Sequence, residues 1–386
     1  MSVSLQAQEH FADRYNVSYI TMDDGLPHNF IDDIYKDTRG FLWISTAGGG
    51  LSRYDGYEFI HFNPNTPHSK LKSNFIHNVY EDRFHRLWIV SEGGTDIIDL
   101  STLQSVIPND PKGLLPRFIN HPTYIVILDS QGCIWLQCDN ALHRITFDAE
   151  GGIDTLSTLD LPEQDEPDLI LKDIDEDGKI WTGINGTIYK ITPTPQGQLE
   201  KSSISEQLTF WPGIYFKDMI AKENEVWIAT HIGLFRYNKS NNTRKLYENN
   251  QNDPHSLSQN YLTNLAITDD KQLIAGTLRG ANIYNPITDN FERLTHSSTS
   301  NSLLNSNFIN CIRVDGQHIW FGTESGGINK LTPKRLVIHN YQHDKENPAS
   351  LSDNPVNVIY EDKEGSLWVG TVEGGLNLKK QGTEQF

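Results

Sequence analysis

One feature constrains this chain more than any other: tryptophan returns at Trp43, Trp88, Trp135, Trp181, Trp227, Trp320 and Trp368, and Ile274 of QLIAGT fills the single gap. Successive spacings are 45, 47, 46, 46, 47, 46 and 48 residues. Eight even copies of one phrase mean eight copies of one structural unit, each relying on its neighbours to bury its apolar faces. The phrase has a fixed grammar. An apolar segment such as NFIDDIY is followed by a turn, DTRG, a second segment, FLWIST, a glycine pair, then GLSRYD and EFIHF. The fourth copy reads LILKDIDEDGKIWTG and the eighth VNVIYEDKEGSLWVG. Short runs rich in Val, Ile, Phe, Tyr and Trp, broken by Asp/Gly turns, are strands joined by hairpins.

Each unit therefore supplies four short antiparallel strands, and the fold class is all-β. Leu42, Trp43 and Ile44 stand in succession, so both faces of such a sheet are apolar and both need a neighbour. A period of about 46 residues with four strands predicts a β-propeller of four-stranded blades packed face to face around an axis. The recurrent Trp is expected between adjacent blades. The glycine pairs Gly49-Gly50, Gly326-Gly327 and Gly374-Gly375 suit backbone angles and close strand approaches that a side chain would forbid. Asp37, Asp82, Asp129, Asp175 and Asp362, each six residues before a Trp, suit a hairpin in which Asp bonds its own turn.

The segment YNVSYITMDDGLPHNF resembles the later linkers KLYENNQNDPHSLSQNY and VIHNYQHDKENPASLSDNP. It is a fourth strand without its first three, suited to completing the last blade of a ring. Residues 1–15 are read as an N-terminal tail, Ala7 of MSVSLQAQE standing as at the end of a signal peptide. Residues 16–333 are read as the propeller, its N-terminal strand closing the last blade. Residues 334–386 are a further blade unit; the count fits an eight-bladed ring and equally a seven-bladed ring followed by the start of a second propeller.

Composition excludes several partners. With 32 Lys+Arg against 50 Asp+Glu the net charge is −18, and no basic cluster is present to follow a phosphate backbone, which argues against nucleic acid. No run of 18 apolar residues is present, so no membrane insertion is expected from this region. Cys133, Cys138 and Cys311 are odd in number and lack CxxC spacing, which reads as small buried hydrophobes.

The phrases DDGLPHNFIDDIYKDTRGFLWISTAGGGLSRYDG, GQHIWFGTESGGINKL and NVIYEDKEGSLWVGTVEGGLNL resemble the propeller repeats of bacterial two-component regulators, whose pattern runs N-x-V-x-x-I-x-x-D-x-x-G-x-L-W-I-G-T-x-x-G-G-L. The resemblance runs from about residue 16 to 380 and is strongest in units one, seven and eight. It implies a non-catalytic, periplasmic ligand-sensing module, the extracytoplasmic part of an inner-membrane protein. It also implies a second propeller and a β-sandwich downstream, then a membrane helix and a histidine kinase or diguanylate cyclase output, in a homodimer. Unit two departs from the pattern with Val90 and Ser91 at the Gly-Thr place, unit three with Gln137 and Cys138, and unit five with a shortened turn at KENE.

Candidate chemistry is sparse. Asp173, Asp175 and Asp177 followed by Gly178 match the opening of a calcium loop, but Ile184 stands at the twelfth position where a bidentate acid is needed, which favours a plain acidic turn. No HExxH, GxSxG, Walker loop or dinucleotide fingerprint is present, and no cofactor is expected. The aromatic run FWPGIYF, residues 210 to 216, enters unit five where other units carry polar linkers. From it Trp211 and Tyr215, with His231 after the fifth Trp, are the first choice for ligand contact, since aromatic faces stack on sugar rings and fill interfaces. An oligosaccharide, another small molecule or a partner domain is the expected ligand. The competing readings are a propeller lyase or hydrolase acting on polysaccharide, and a protein-interaction scaffold.

Overall fold

The computed structural model describes residues 10–67, 70–138, 140–161, 173–174, 179–184, 187–194, 197–203, 214–222, 224–297, 303–334, 340–383 and 385–386. The described residues are almost wholly strands and turns, with one helical turn at Pro116–Ile119 and two short 3-10 turns among them. The chain forms two compact units, Met1–Lys334 and Arg335–Phe386.

The described residues of the first unit form seven antiparallel sheets, six of four strands and one of three. Their inner strands are Ile31–Lys36, Ile76–Glu81, Thr123–Leu128, Asp173–Ile174, Phe216–Lys222, Leu262–Ile267 and Ile309–Asp315. From each, the chain steps outward by hairpins. The seventh sheet takes its outer strand from the other end of the sequence: Tyr15–Ile20 pairs antiparallel with Ile328–Pro333, from Tyr15 opposite Pro333 to Ile20 opposite Ile328. In the three-stranded second sheet a single bridge, Ile98 to Ser105, stands where the outer strand would be.

The core lies between the sheets. Seven apolar clusters join first sheet to second, second to third, and so on to seventh back to first. Each contains the second-strand residue of the beat, from Trp43 at the first seam to Trp181 at the fourth, then Trp227, Ile274 and Trp320. Trp43, Trp88, Trp135 and Trp181 are fully buried. One such ring removes on the order of 150–250 Å² from water, about 4–6 kcal/mol of gross transfer energy at about 25 cal/mol/Å².

The indole also needs a partner for its N–H, and the first hairpin provides one. Trp43, Trp88 and Trp135 donate Nε1–H to Asp37, Asp82 and Asp129 at 2.9, 2.8 and 2.9 Å. The other oxygen of each carboxylate accepts two backbone N–H groups of its own turn, as Asp37 does from Arg39 and Phe41. The six-residue spacing thus ties turn to seam. The seventh sheet turns more tightly, with Asp315 opposite His318, and has Val314 six residues before Trp320, whose buried Nε1 finds no hydrogen-bond partner among the described residues.

The second glycine of the pair is also fixed by geometry. Gly50 has φ +79°, and a Cβ there would stand 2.4 Å from the Phe62 carbonyl oxygen; Gly327 has φ +68° and would meet the Ile20 oxygen at 2.2 Å. Only glycine satisfies both demands. All three cysteines are buried and unbridged, as expected.

The second unit is one three-stranded sheet, Val356–Glu361, Leu367–Thr371 and Gly375–Lys379. It repeats the same local chemistry: Trp368 donates to Asp362 at 2.9 Å, and Thr371 donates to the Gly375 carbonyl at 3.1 Å.

Candidate functional site

Inner strands of neighbouring sheets share no ladder, so side chains must tie them together. The Asp218 carboxylate is buried and accepts from Asn264 Nδ2 at 2.7 Å, from the Leu265 N–H at 2.8 Å and from the Met219 N–H at 2.8 Å. Asn264 Oδ1 in turn accepts from the Ile312 N–H at 2.9 Å, and Asn310 Nδ2 donates to the Ile31 carbonyl at 3.1 Å. This belt runs through sheets five, six, seven and one.

Asp218, Asn264 and Asn310 of the belt also line a cavity of about 370 Å³ bounded by the inner strands of six sheets. Where those strands begin, the pairing with the second strand slips by one residue. The slips fall between Ile31 and Asp33, Ile76 and Asn78, Phe216 and Asp218, Leu262 and Asn264, and Ile309 and Cys311, and Tyr124 is passed over in the same way. A β-bulge frees one residue from the ladder and re-aims its side chain. The freed residues are Asp32, His77, Tyr124, Lys217, Thr263 and Asn310: a carboxylate, an imidazole, a phenol, an ammonium, a hydroxyl and an amide. All six are half-buried, and four of them line the cavity.

An aromatic residue stands just before several of these strands: Phe30, Phe75, Tyr215, Tyr261 and Phe308. Phe75 and Tyr215 are exposed. His77 lies with its ring 5.4 Å from Tyr124, and the Lys217 ammonium sits 5.2 Å from the centre of the Tyr261 ring.

Burial sets the electrostatics of this mouth. Desolvation, helped by the charge of Asp33, pushes the Asp32 carboxyl up to about 6. Desolvation also lowers the pKa of His77, whose buried Nε2 has no hydrogen-bond partner among the described residues. Both groups resist charging. Because folded Asp32 holds its proton more tightly than an unfolded carboxyl near 4, its contribution to stability falls as pH rises from about 4 to about 6 and is fully unfavourable above that. Asp32→Asn is therefore expected to raise Tm at pH 7.5 and to change it little at pH 4. Thermal melts at the two pH values check this; equal shifts would refute the desolvation account.

Tyr215 and His231 come together, rings 5.2 Å apart and edge to face, with the Tyr215 N–H donating to His231 Nδ1 at 3.1 Å. A general feature of the fold produces part of this pairing. The His231 N–H donates to the Tyr215 carbonyl as Ala47 does to Phe30 and Glu324 to Phe308, each loop residue tying down the aromatic before an inner strand. Trp211, Asp175 and Asp177 lie outside the described residues, as does the side chain of Asp173, whose backbone pairs opposite Trp181. Among the described residues no group of three His, Cys, Asp or Glu is placed to hold a metal ion. The bulge residues escaped the sequence reading, although they had a signal. In I-D-D-I, I-H-N-V, F-K-D-M and L-T-N-L the second position varies freely between an apolar residue and an Asp or Asn.

Fold and site together define a β-propeller with a polar, chemically varied channel mouth. Residues 25–48 and 350–373 match the family model of the two-component regulator propeller, so these two segments are repeats of that kind. Among solved structures it is similar to the extracellular domain of a putative hybrid two-component system from B. thetaiotaomicron, with TM-score 0.64 and 21% identity over 96% of this chain and 49% of that one. A putative one-component system of the same organism gives TM-score 0.60 and 18% identity over 95% and 52%. Virginiamycin B lyase from Staphylococcus aureus gives TM-score 0.55 and 16% identity over 83% and 99%. The chain thus spans about half the length of the two extracellular domains. No curated protein matches the sequence. Among the described residues no helix is long and apolar enough to cross a membrane.

Proposed function

We propose that this chain is the extracytoplasmic, periplasmic ligand-sensing region of a bacterial two-component signalling protein. It binds an oligosaccharide or a partner domain at the channel mouth and carries out no chemistry itself. The observation that carries this reading is the ring of bulged residues: six different side chains on one repeating frame, with exposed Phe75 and Tyr215 beside them. Uniform backbone with varied mouth residues is how a scaffold sets selectivity. Isothermal titration with neutral oligosaccharides, repeated on a His77→Ala, Lys217→Ala variant, tests it. Saturable binding lost in the variant, with the melting temperature kept and no product formed, is the expected result; wild-type binding unchanged by the variant would place the ligand elsewhere.

One observation favours a second reading. A carboxyl held near pH 6, as Asp32 is, suits general acid work near neutrality, and the fold is shared with a lyase. Product analysis after incubation with any bound saccharide decides between the two.

The second unit begins a second ring in this reading. Val356, Ile359 and Tyr360 are 41%, 64% and 62% exposed, whereas their counterparts Ile31, Ile34 and Tyr35 in the first sheet are 0%, 1% and 8% exposed. Both faces of such a sheet need neighbours, and further sheets of the same repeat fit them. The expected full protein continues through that ring to a β-sandwich, a membrane helix and an output module, and works as a homodimer. A chain ending at residue 334 should bind less of an apolar-surface dye such as ANS than the 386-residue chain, while a chain extended through the second ring should bind no more than the shorter one.

A further inference from the structure

Away from the axis, a groove of about 540 Å³ opens where the loops of sheets five, six and seven meet. Its described lining includes Asn249, Gln251, Arg279, Arg293 and Asn307 and contains no acidic residue. In a chain of net charge −18 that is a local reversal of sign.

The two guanidiniums differ in how they are held. Arg293 is half-buried and donates only to neutral acceptors: Nε to the Ser256 carbonyl at 2.8 Å, and Nη2 to the Asp253 and Leu257 carbonyls at 2.8 and 3.0 Å and to the Ser256 hydroxyl at 2.6 Å. The nearby Asp253 carboxylate is turned to its own loop, accepting from the His255 N–H at 2.9 Å. Arg279 is exposed on the turn between Thr277 and Gly280, held by its own N–H to Thr277 Oγ1 at 3.0 Å. Among the described residues its side chain has neither hydrogen bond nor ion pair. Thus one positive charge is fixed in place without a counter-charge, and a second stands free beside it. Guanidinium forks match planar and tetrahedral oxyanions, and the surrounding amides supply further donors.

We propose that this groove is an oxyanion site, taking a carboxylate or sulfate group with Arg279 as the engaging residue and Arg293 as the fixed one. The site is separate from the channel mouth and stands or falls independently of the sensing role. The chemistry has two sources, a free inorganic anion or an acidic group on a saccharide, and the test separates them. The 386-residue chain is titrated by calorimetry at constant ionic strength with sodium sulfate, with a uronate trisaccharide and with a neutral trisaccharide. Saturable binding of sulfate alone assigns a free anion; tighter binding of the uronate than of the neutral sugar assigns an acidic saccharide. In either case Arg279→Gln should weaken binding about tenfold or more, about 1.4 kcal/mol, while Arg279→Lys retains part of it. The Arg279 side chain is exposed and makes no hydrogen bond or ion pair among the described residues, and its backbone bond to Thr277 is kept in glutamine, so Arg279→Gln should melt as the wild type does. Absence of binding for both anions, or unchanged affinity in Arg279→Gln, overturns the proposal.

Discussion

Asp82→Ala should destabilise the first unit by about 3–5 kcal/mol, the cost of stranding a buried charge. Its Oδ2 accepts from Arg86 Nε at 2.7 Å and from Trp88 Nε1 at 2.8 Å, and its Oδ1 from the Phe84 and Arg86 N–H groups at 2.9 and 3.1 Å. The Asp82 side chain is 0% exposed and that of Arg86 9%, so water cannot replace what alanine removes. Arg86 also donates from Nη1 to the Gly151 carbonyl at 2.7 Å, which carries the damage across the seam to the third sheet. A loss of this size takes a large part of the 5–15 kcal/mol that usually separates folded from unfolded. Urea unfolding measures it. Trp88→Phe, which leaves the carboxylate and guanidinium paired, should cost clearly less. Replacing both charged partners together, as Asp82→Leu with Arg86→Met, should recover part of the loss. If Asp82→Ala unfolds at the wild-type denaturant concentration, the carboxylate is not the hub of this seam.

Removing residues 10–20 should abolish cooperative folding of the first unit. Tyr15–Ile20 is the outer strand of the seventh sheet, and without it Ile328–Pro333 becomes an open edge. Phe11 is 2% exposed within the cluster between sheets six and seven, and Ile20 is 7% exposed within the cluster between sheets seven and one. Burial of these two side chains alone contributes about 3–6 kcal/mol. The Phe11 N–H also donates to the Glu292 carboxylate at 3.0 Å, pinning the tail to the sixth sheet. Circular dichroism and size-exclusion chromatography should show an aggregated chain without a sharp transition, and a synthetic peptide of residues 10–21 added in trans should restore one. Gly327→Val is the point-mutation counterpart, because its side chain would enter the space of the Ile20 carbonyl at a backbone angle valine rarely adopts. A truncated chain that melts sharply at the wild-type temperature would show that the closing strand is dispensable.

The fold was more legible than the site, and particular residues show why. Leu42, Trp43 and Ile44 state their environment locally: three apolar residues in succession need cover on both faces wherever the strand lies. The six-residue step from Asp82 to Trp88 likewise stays within one hairpin, so the turn chemistry is legible, although the indole bond to the same carboxylate is not. Asp32 carries no such local mark. It is freed only because one strand holds an extra residue relative to its partner, and that count depends on pairing in space. Its raised carboxyl pKa follows from desolvation by the surrounding inner strands. Tyr215 and His231 stand out in the sequence for their chemistry, whereas what joins them includes a backbone bond repeated around the fold.

Local order along the chain dictates the repeat, the strands and their two-faced apolar character, because side-chain alternation and hairpin turns are short-range properties. Folding in space sets what those strands present: the bulged side chains at the mouth, the belt from Asp218 to Ile312, and the placing of Arg279 and Arg293 along one groove. Each depends on sheets brought together by burial, and the charge and access of a polar group are set by what surrounds it in space, however far away those neighbours lie along the chain.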